Sequence, residues 1–118
     1  MALTVPLDTQ ALGRLRELDP GGAGHLLERL VSAYRRSVER LLPQLLAAPE
    51  GANAALVAHT LKSSSATLGA GDVAQLCAEI EALARQGRSD GLAERVAVLP
   101  AAIAAALEAL ELVVDSRP

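Results

Sequence analysis

The sequence predicts an all-α protein, an up-down antiparallel four-helix bundle with a short extra helix at its N-terminal end. Three observations carry this. Aromatic residues are nearly absent, with one Tyr and neither Phe nor Trp, whereas sheets lean on aromatic and β-branched side chains. Ala, Leu, Glu, Arg and Gln, all strong helix formers, dominate. Apolar residues recur at helical spacing between short turn signals rich in Gly, Pro and Asp. At 118 residues the chain has room for one domain, residues 1–118 with a core at about 8–114, and that size buries a core without staples.

Taken in order, Asp8 and Thr9 can cap a short first helix reaching about Leu18, with Leu12, Leu15 and Leu18 as its apolar stripe. The sequence Asp19-Pro-Gly-Gly ends it. A second helix spans about Gly22 to Ala48 on Leu26, Leu27, Leu30, Tyr34, Val38, Leu41, Leu42, Leu45 and Leu46. Pro43 inside it predicts a kink or an early end to its regular part. A third helix covers about Ala52 to Leu68 and stops at Gly69 to Gly71. Asp72 caps a fourth, built on Val73, Leu76, Cys77, Ile80, Leu83 and Ala84 and ending near Gln86-Gly87. Ser89 or Asp90 starts a fifth, carrying Leu92, Val96, Leu99, Ile103, Leu107, Leu110 and Val114, with a bend at Pro100. The last residues, Asp115 to Pro118, are expected to fray. Short loops between long amphipathic helices favour antiparallel neighbours.

Composition also excludes function classes. Half of the residues are apolar, so the chain is not a disordered tail. A net charge of −3 and the lack of aromatics argue against nucleic-acid binding. A single cysteine, Cys77, can form neither an internal disulfide nor a multi-thiolate metal site, and reads as a small core residue. The N-terminal MALTVPLD has no basic start and is interrupted by Pro6 and Asp8, so it does not read as a signal peptide. The apolar run from Val96 to Leu107 is short for a bilayer span and contains Pro100. The expectation is a soluble, cytoplasmic, monomeric domain with no membrane or nucleic-acid partner.

The third helix concentrates the chemistry. With Val57, Leu61, Ser64, Ser65 and Leu68 facing inward, His59 falls about 200° from Val57, on the opposite side. Its neighbours there are small: Ala52, Ala55, Ser63 and Ala66. Lys62 lies one turn on. Small side chains let another protein's surface approach the imidazole. A neutral, exposed His can act as a nucleophile, and Lys62 could offset the charge of a phosphoryl group on the ring. No second carboxylate cluster is available to hold Mg²⁺, so a partner would supply the metal. The plainer alternative is a surface His and a solvated Lys. Ser63, Ser64 and Ser65 could equally bond back to backbone carbonyls. His25 reads as a surface residue.

The stretch Ala58-His-Thr-Leu-Lys-Ser-Ser-Ser-Ala-Thr-Leu-Gly-Ala70 closely resembles the signature of histidine-containing phosphotransfer (HPt) domains of multistep phosphorelays. Leu76 to Arg85, LCAEIEALAR, looks like the helix that follows the motif in that family. His25 to Tyr34 looks like the family's second helix, with Tyr34 where an aromatic is usual. The resemblance implies that His59 accepts and donates a phosphoryl group and that Lys62 supports it. It implies receiver domains of response regulators, and a hybrid sensor kinase, as partners. The protein would be a phosphocarrier with no kinase activity and no cofactor of its own. Ser63 departs from the family, which most often has Gly there, and should alter partner fit. Glu81 stands where the family often has a carboxylate or amide; it either orients the imidazole or is an exposed Glu. Leu12 and Leu15, with residues near Tyr34, either form an apolar docking patch beside His59 or cover the bundle core. Two rival readings are the phosphoacceptor and dimerisation segment of a sensor histidine kinase, and a non-catalytic helical interaction module. The first usually has an acidic residue after the His, where Thr60 stands here.

Overall fold

The computed structural model describes residues 7–115. Most of the MALTVPLD segment and the expected fraying of residues 116–118 lie outside them. Within them the chain is helical: α1 (Thr9–Glu17), a one-turn 3-10 helix (Pro20–Gly22), α2 (Leu26–Ala47), α3 (Ala52–Thr67), α4 (Gly71–Arg85) and α5 (Leu92–Asp115). Each of α2 to α5 packs on the next, and α5 returns to α2, closing a four-helix ring; α1 lies across α2 and α3. Consecutive helices joined by short loops run antiparallel. The core is aliphatic, with Leu45, Leu61, Leu68, Ile80, Leu99, Ile103 and Leu110 fully buried. The one aromatic, Tyr34, is buried too, and its hydroxyl lies 2.7 Å from the buried Ser65 Oγ. Burial pushes the Tyr34 hydroxyl pKa up, against the pull of the Ser65 bond. Cys77 is fully buried and its thiol is pushed up to about 12 by that burial.

Local chemistry fixes the ends. The Asp8 carboxylate accepts from the backbone N–H of Gln10 and Ala11, capping α1. Asp19 does more than end α1. Its two oxygens accept from the N–H of Gly24 and Leu26, so it caps the start of α2 from across the loop. α2 begins at Leu26, not Gly22, because Gly21 and Gly22 have positive φ and His25 is itself left-handed at φ 54°. The end of α3 is a Schellman turn: the Ala70 N–H reaches the Ser65 carbonyl and the Gly69 N–H that of Ala66. Gly69 is required there twice over. Its φ is +79°, and an added Cβ would lie 2.8 Å from the Asp8 carbonyl oxygen. The Asp8 N–H donates to the Gly69 carbonyl at 2.8 Å, tying α1 to this turn.

Several expectations are corrected. Of the kink and the early end expected at Pro43, the early end does not occur: α2 continues through Pro43, as α5 does through Pro100. Pro43 faces solvent while Leu41 and Leu45 on the other face are buried, so packing carries the helix past one lost hydrogen bond. Asp72 lies in the first turn of α4, whose cap position is Ala70. Leu18 and Leu46, placed on apolar stripes by spacing, are exposed. The run from Val96 to Leu107 sits inside a 24-residue helix that is long and apolar enough to cross a membrane by length and composition alone. Alanines extend its apolar character on both sides of Pro100, while its buried face packs on α2 and α4.

Candidate functional site at the α3–α4 face

α3 and α4 pack closely along their length, and the three-residue connection at 68–70 sets their register. That register brings His59 and Lys62 of α3 against Glu81 of α4. The His59 side chain is 52% exposed, while that of Glu81 is 10% exposed. His59 Nδ1 lies 3.0 Å from Glu81 Oε2. The Lys62 ammonium donates to Glu81 Oε1 at 2.7 Å. A third group joins them: Arg85 Nε and Nη2 meet Glu81 Oε2 at 2.9 and 2.8 Å. The buried carboxylate is thus saturated with donors. The Lys62 bond is the main cause that holds its pKa down to about 2, reinforced by Arg85 and His59 and opposed by burial.

The arrangement has a direct chemical reading. A carboxylate at Nδ1 favours the tautomer with the proton there. The lone pair then sits on Nε2, the other nitrogen of a half-exposed ring. The alternative of an exposed Glu81 is therefore not what the structure has, since the side chain is buried against the imidazole.

Several of the exposed side chains around His59 are short. Ala52, Thr60, Ser63 and Ala66 lie at the surface, with the back-bonded Thr60 Oγ1 donating to the Leu56 carbonyl. Four residues expected at the docking surface lie elsewhere. Leu12, Leu15, Tyr34 and Ala55 are all buried, so they cover and fill the core instead of forming an apolar patch. The reason is the seat of α1 on α2 and α3, which turns its leucine stripe inward, and the bond of Tyr34 to Ser65. Of the small residues expected beside His59, only Ala55 is lost to the interior. Of the three serines, Ser65 bonds Tyr34, Ser64 Oγ donates back to the Thr60 carbonyl, and Ser63 stays exposed.

Two residues escaped the sequence reading. Arg85 could have been found from its place four residues after Glu81, the spacing of a helical ion pair. Leu56, 60% exposed, lies one turn before His59. With Ala52 and Arg85 it lines a shallow depression on the α3–α4 face. An isolated apolar residue off the inward stripe was the available signal. His25 is exposed and paired with Glu28 near the start of α2.

The bundle thus presents a half-exposed His, held at one nitrogen by a carboxylate and flanked by a Lys. Residues 25–111 match the family model of the Hpt domain, and the chain belongs to that family. The family carries histidine phosphotransfer in phosphorelays, and its members interact with receiver domains of response regulators. No curated protein and no solved structure matches the chain.

Proposed function

We propose that the protein takes a phosphoryl group from the aspartyl-phosphate of one receiver domain onto His59 Nε2 and passes it to the aspartate of another. The observation that carries this is the His59–Glu81 pair, a half-exposed ring with Nδ1 occupied and Nε2 left to attack. In the first step the Nε2 lone pair forms a bond to phosphorus. The bond between phosphorus and the aspartyl oxygen breaks, and its electron pair leaves with the receiver's carboxylate. In the second step another receiver's carboxylate attacks phosphorus and the pair returns to Nε2. Such transfer asks the protein mainly for position and charge.

Lys62 supplies the charge on this reading, turning from Glu81 to the phosphoryl oxygens. Ser63, Ala66 and Ala52 allow close approach, and Leu56 offers the receiver an apolar contact. Ser63 in place of the family's usual Gly keeps the surface low and changes the fit. Mg²⁺ comes with the receiver. The closed ring of four helices in a single chain supports a monomer, since no second chain is needed to complete the core. A cytoplasmic phosphocarrier, serving receivers and a hybrid sensor kinase and lacking kinase activity itself, completes the proposal.

The test is incubation with a phosphorylated receiver. Acid-labile, base-stable label should appear on the protein and vanish in His59→Gln. Label that persists in that variant, or never forms on the wild type, overturns the reading.

A further inference from the structure

Attack by Nε2 leaves His59 with phosphorus on one nitrogen and a proton on the other, so the ring takes on imidazolium character. The fate of that proton decides how long the P–N bond lasts. While Nδ1 keeps it, cleavage returns the electron pair to Nε2 and releases neutral imidazole, the tautomer that began the cycle. Once Nδ1 loses it, the leaving group is imidazolate, a much poorer one.

We propose that Glu81 sets the lifetime and onward reactivity of the phosphohistidine by holding the proton on His59 Nδ1. The inference rests on His59 being the phosphoacceptor. The division of labour between the two carboxylate oxygens supports it. Oε1 takes Lys62 alone, and Oε2 takes His59 and Arg85. Lys62 can therefore move from Oε1 to an arriving phosphoryl group without disturbing the oxygen that faces the ring. Its ammonium is a compact charge on a flexible stem. Arg85 meets Oε2 through two nitrogens and keeps the carboxylate aimed. The charged groups bonded to Glu81 are thus Lys62 and His59 from α3 and Arg85 from α4. When Lys62 leaves, the carboxylate loses one cation and its pull on the Nδ1 proton grows. Arrival of the phosphoryl group would by itself strengthen the condition for its departure.

The experiment uses the full chain, labelled chemically with ³²P-phosphoramidate, without a receiver. Loss of label to water is followed from about pH 6 to about pH 10, where the P–N bond breaks, a P–O bond to water forms and the water proton goes to solvent. Glu81→Gln keeps the size and an acceptor oxygen and removes the charge. In that variant the pH above which label becomes stable should fall by about one unit or more, which is at least about tenfold slower loss at pH values well above both midpoints. Glu81→Asp, which keeps the charge, should lie between Gln and wild type. Equal midpoints in wild type and Glu81→Gln, or a Gln-like midpoint in Glu81→Asp, overturn the proposal. If Glu81→Gln takes no label, NMR titration of the unphosphorylated His59 ring decides. A lower midpoint than wild type supports the proposal and an equal one overturns it. Absence of label on the wild type would instead remove the phosphoacceptor role itself.

Discussion

At the scale of single residues, the site depends on one buried carboxylate with three cationic or titratable partners. Removing one partner leaves the others, so Lys62→Ala should slow transfer from a phosphorylated receiver on the order of 10–100-fold, less than a donor lost from a water-excluded site. Helicity by circular dichroism should be unchanged, because Arg85 still satisfies Glu81. A large loss of helicity would assign Lys62 a structural role. Glu81 also links folding to pH. Its native pKa, held at about 2 mainly by Lys62, lies below the ordinary value of 4.5. The unfolded chain therefore binds the proton first, and the stabilisation, fully present above about pH 4.5, drains away as pH falls toward about 2. Urea unfolding should show that drop in the wild type and a flatter profile in Glu81→Gln over this window; parallel profiles would contradict it. Tyr34→Phe strands the Ser65 hydroxyl in the core, with an expected cost of about 1–2 kcal/mol by denaturant unfolding.

At the scale of elements, the turn between α3 and α4 is the most constrained point. Gly69→Ala meets both the left-handed backbone and the Asp8 carbonyl, and should destabilise by about 1–3 kcal/mol in thermal or denaturant unfolding. A neutral result would mean that α1 can lift off without consequence. This turn was legible in the sequence as the glycine stop after Leu68, because αL stops favour glycine. The partner it holds was not, since contact with Asp8 joins segments about sixty residues apart. The early end that Pro43 also allowed fails for a related reason: the proline is a local signal, and the packing that carries α2 past it is not local. His59 and Lys62 were legible from one helix and its face. Glu81 was visible only as two alternatives, because burial against the ring depends on how α4 is rotated. The leucines of α1 show the same limit: periodicity found their stripe but not what it would meet.

At the scale of the molecule, the closed ring of α2 to α5 makes a monomer the expected species, and sedimentation or size-exclusion measurements should find one. A dimer would favour the sensor-kinase alternative. The position of the site within the ring has a further consequence. His59, Lys62, Glu81 and Arg85 all belong to one helical hairpin with a three-residue connection. Closing so short a loop costs little chain entropy. During synthesis, the groups proposed to handle phosphate can therefore find their mutual register before α5 has left the ribosome, and that later helix has only to clamp a geometry already chosen.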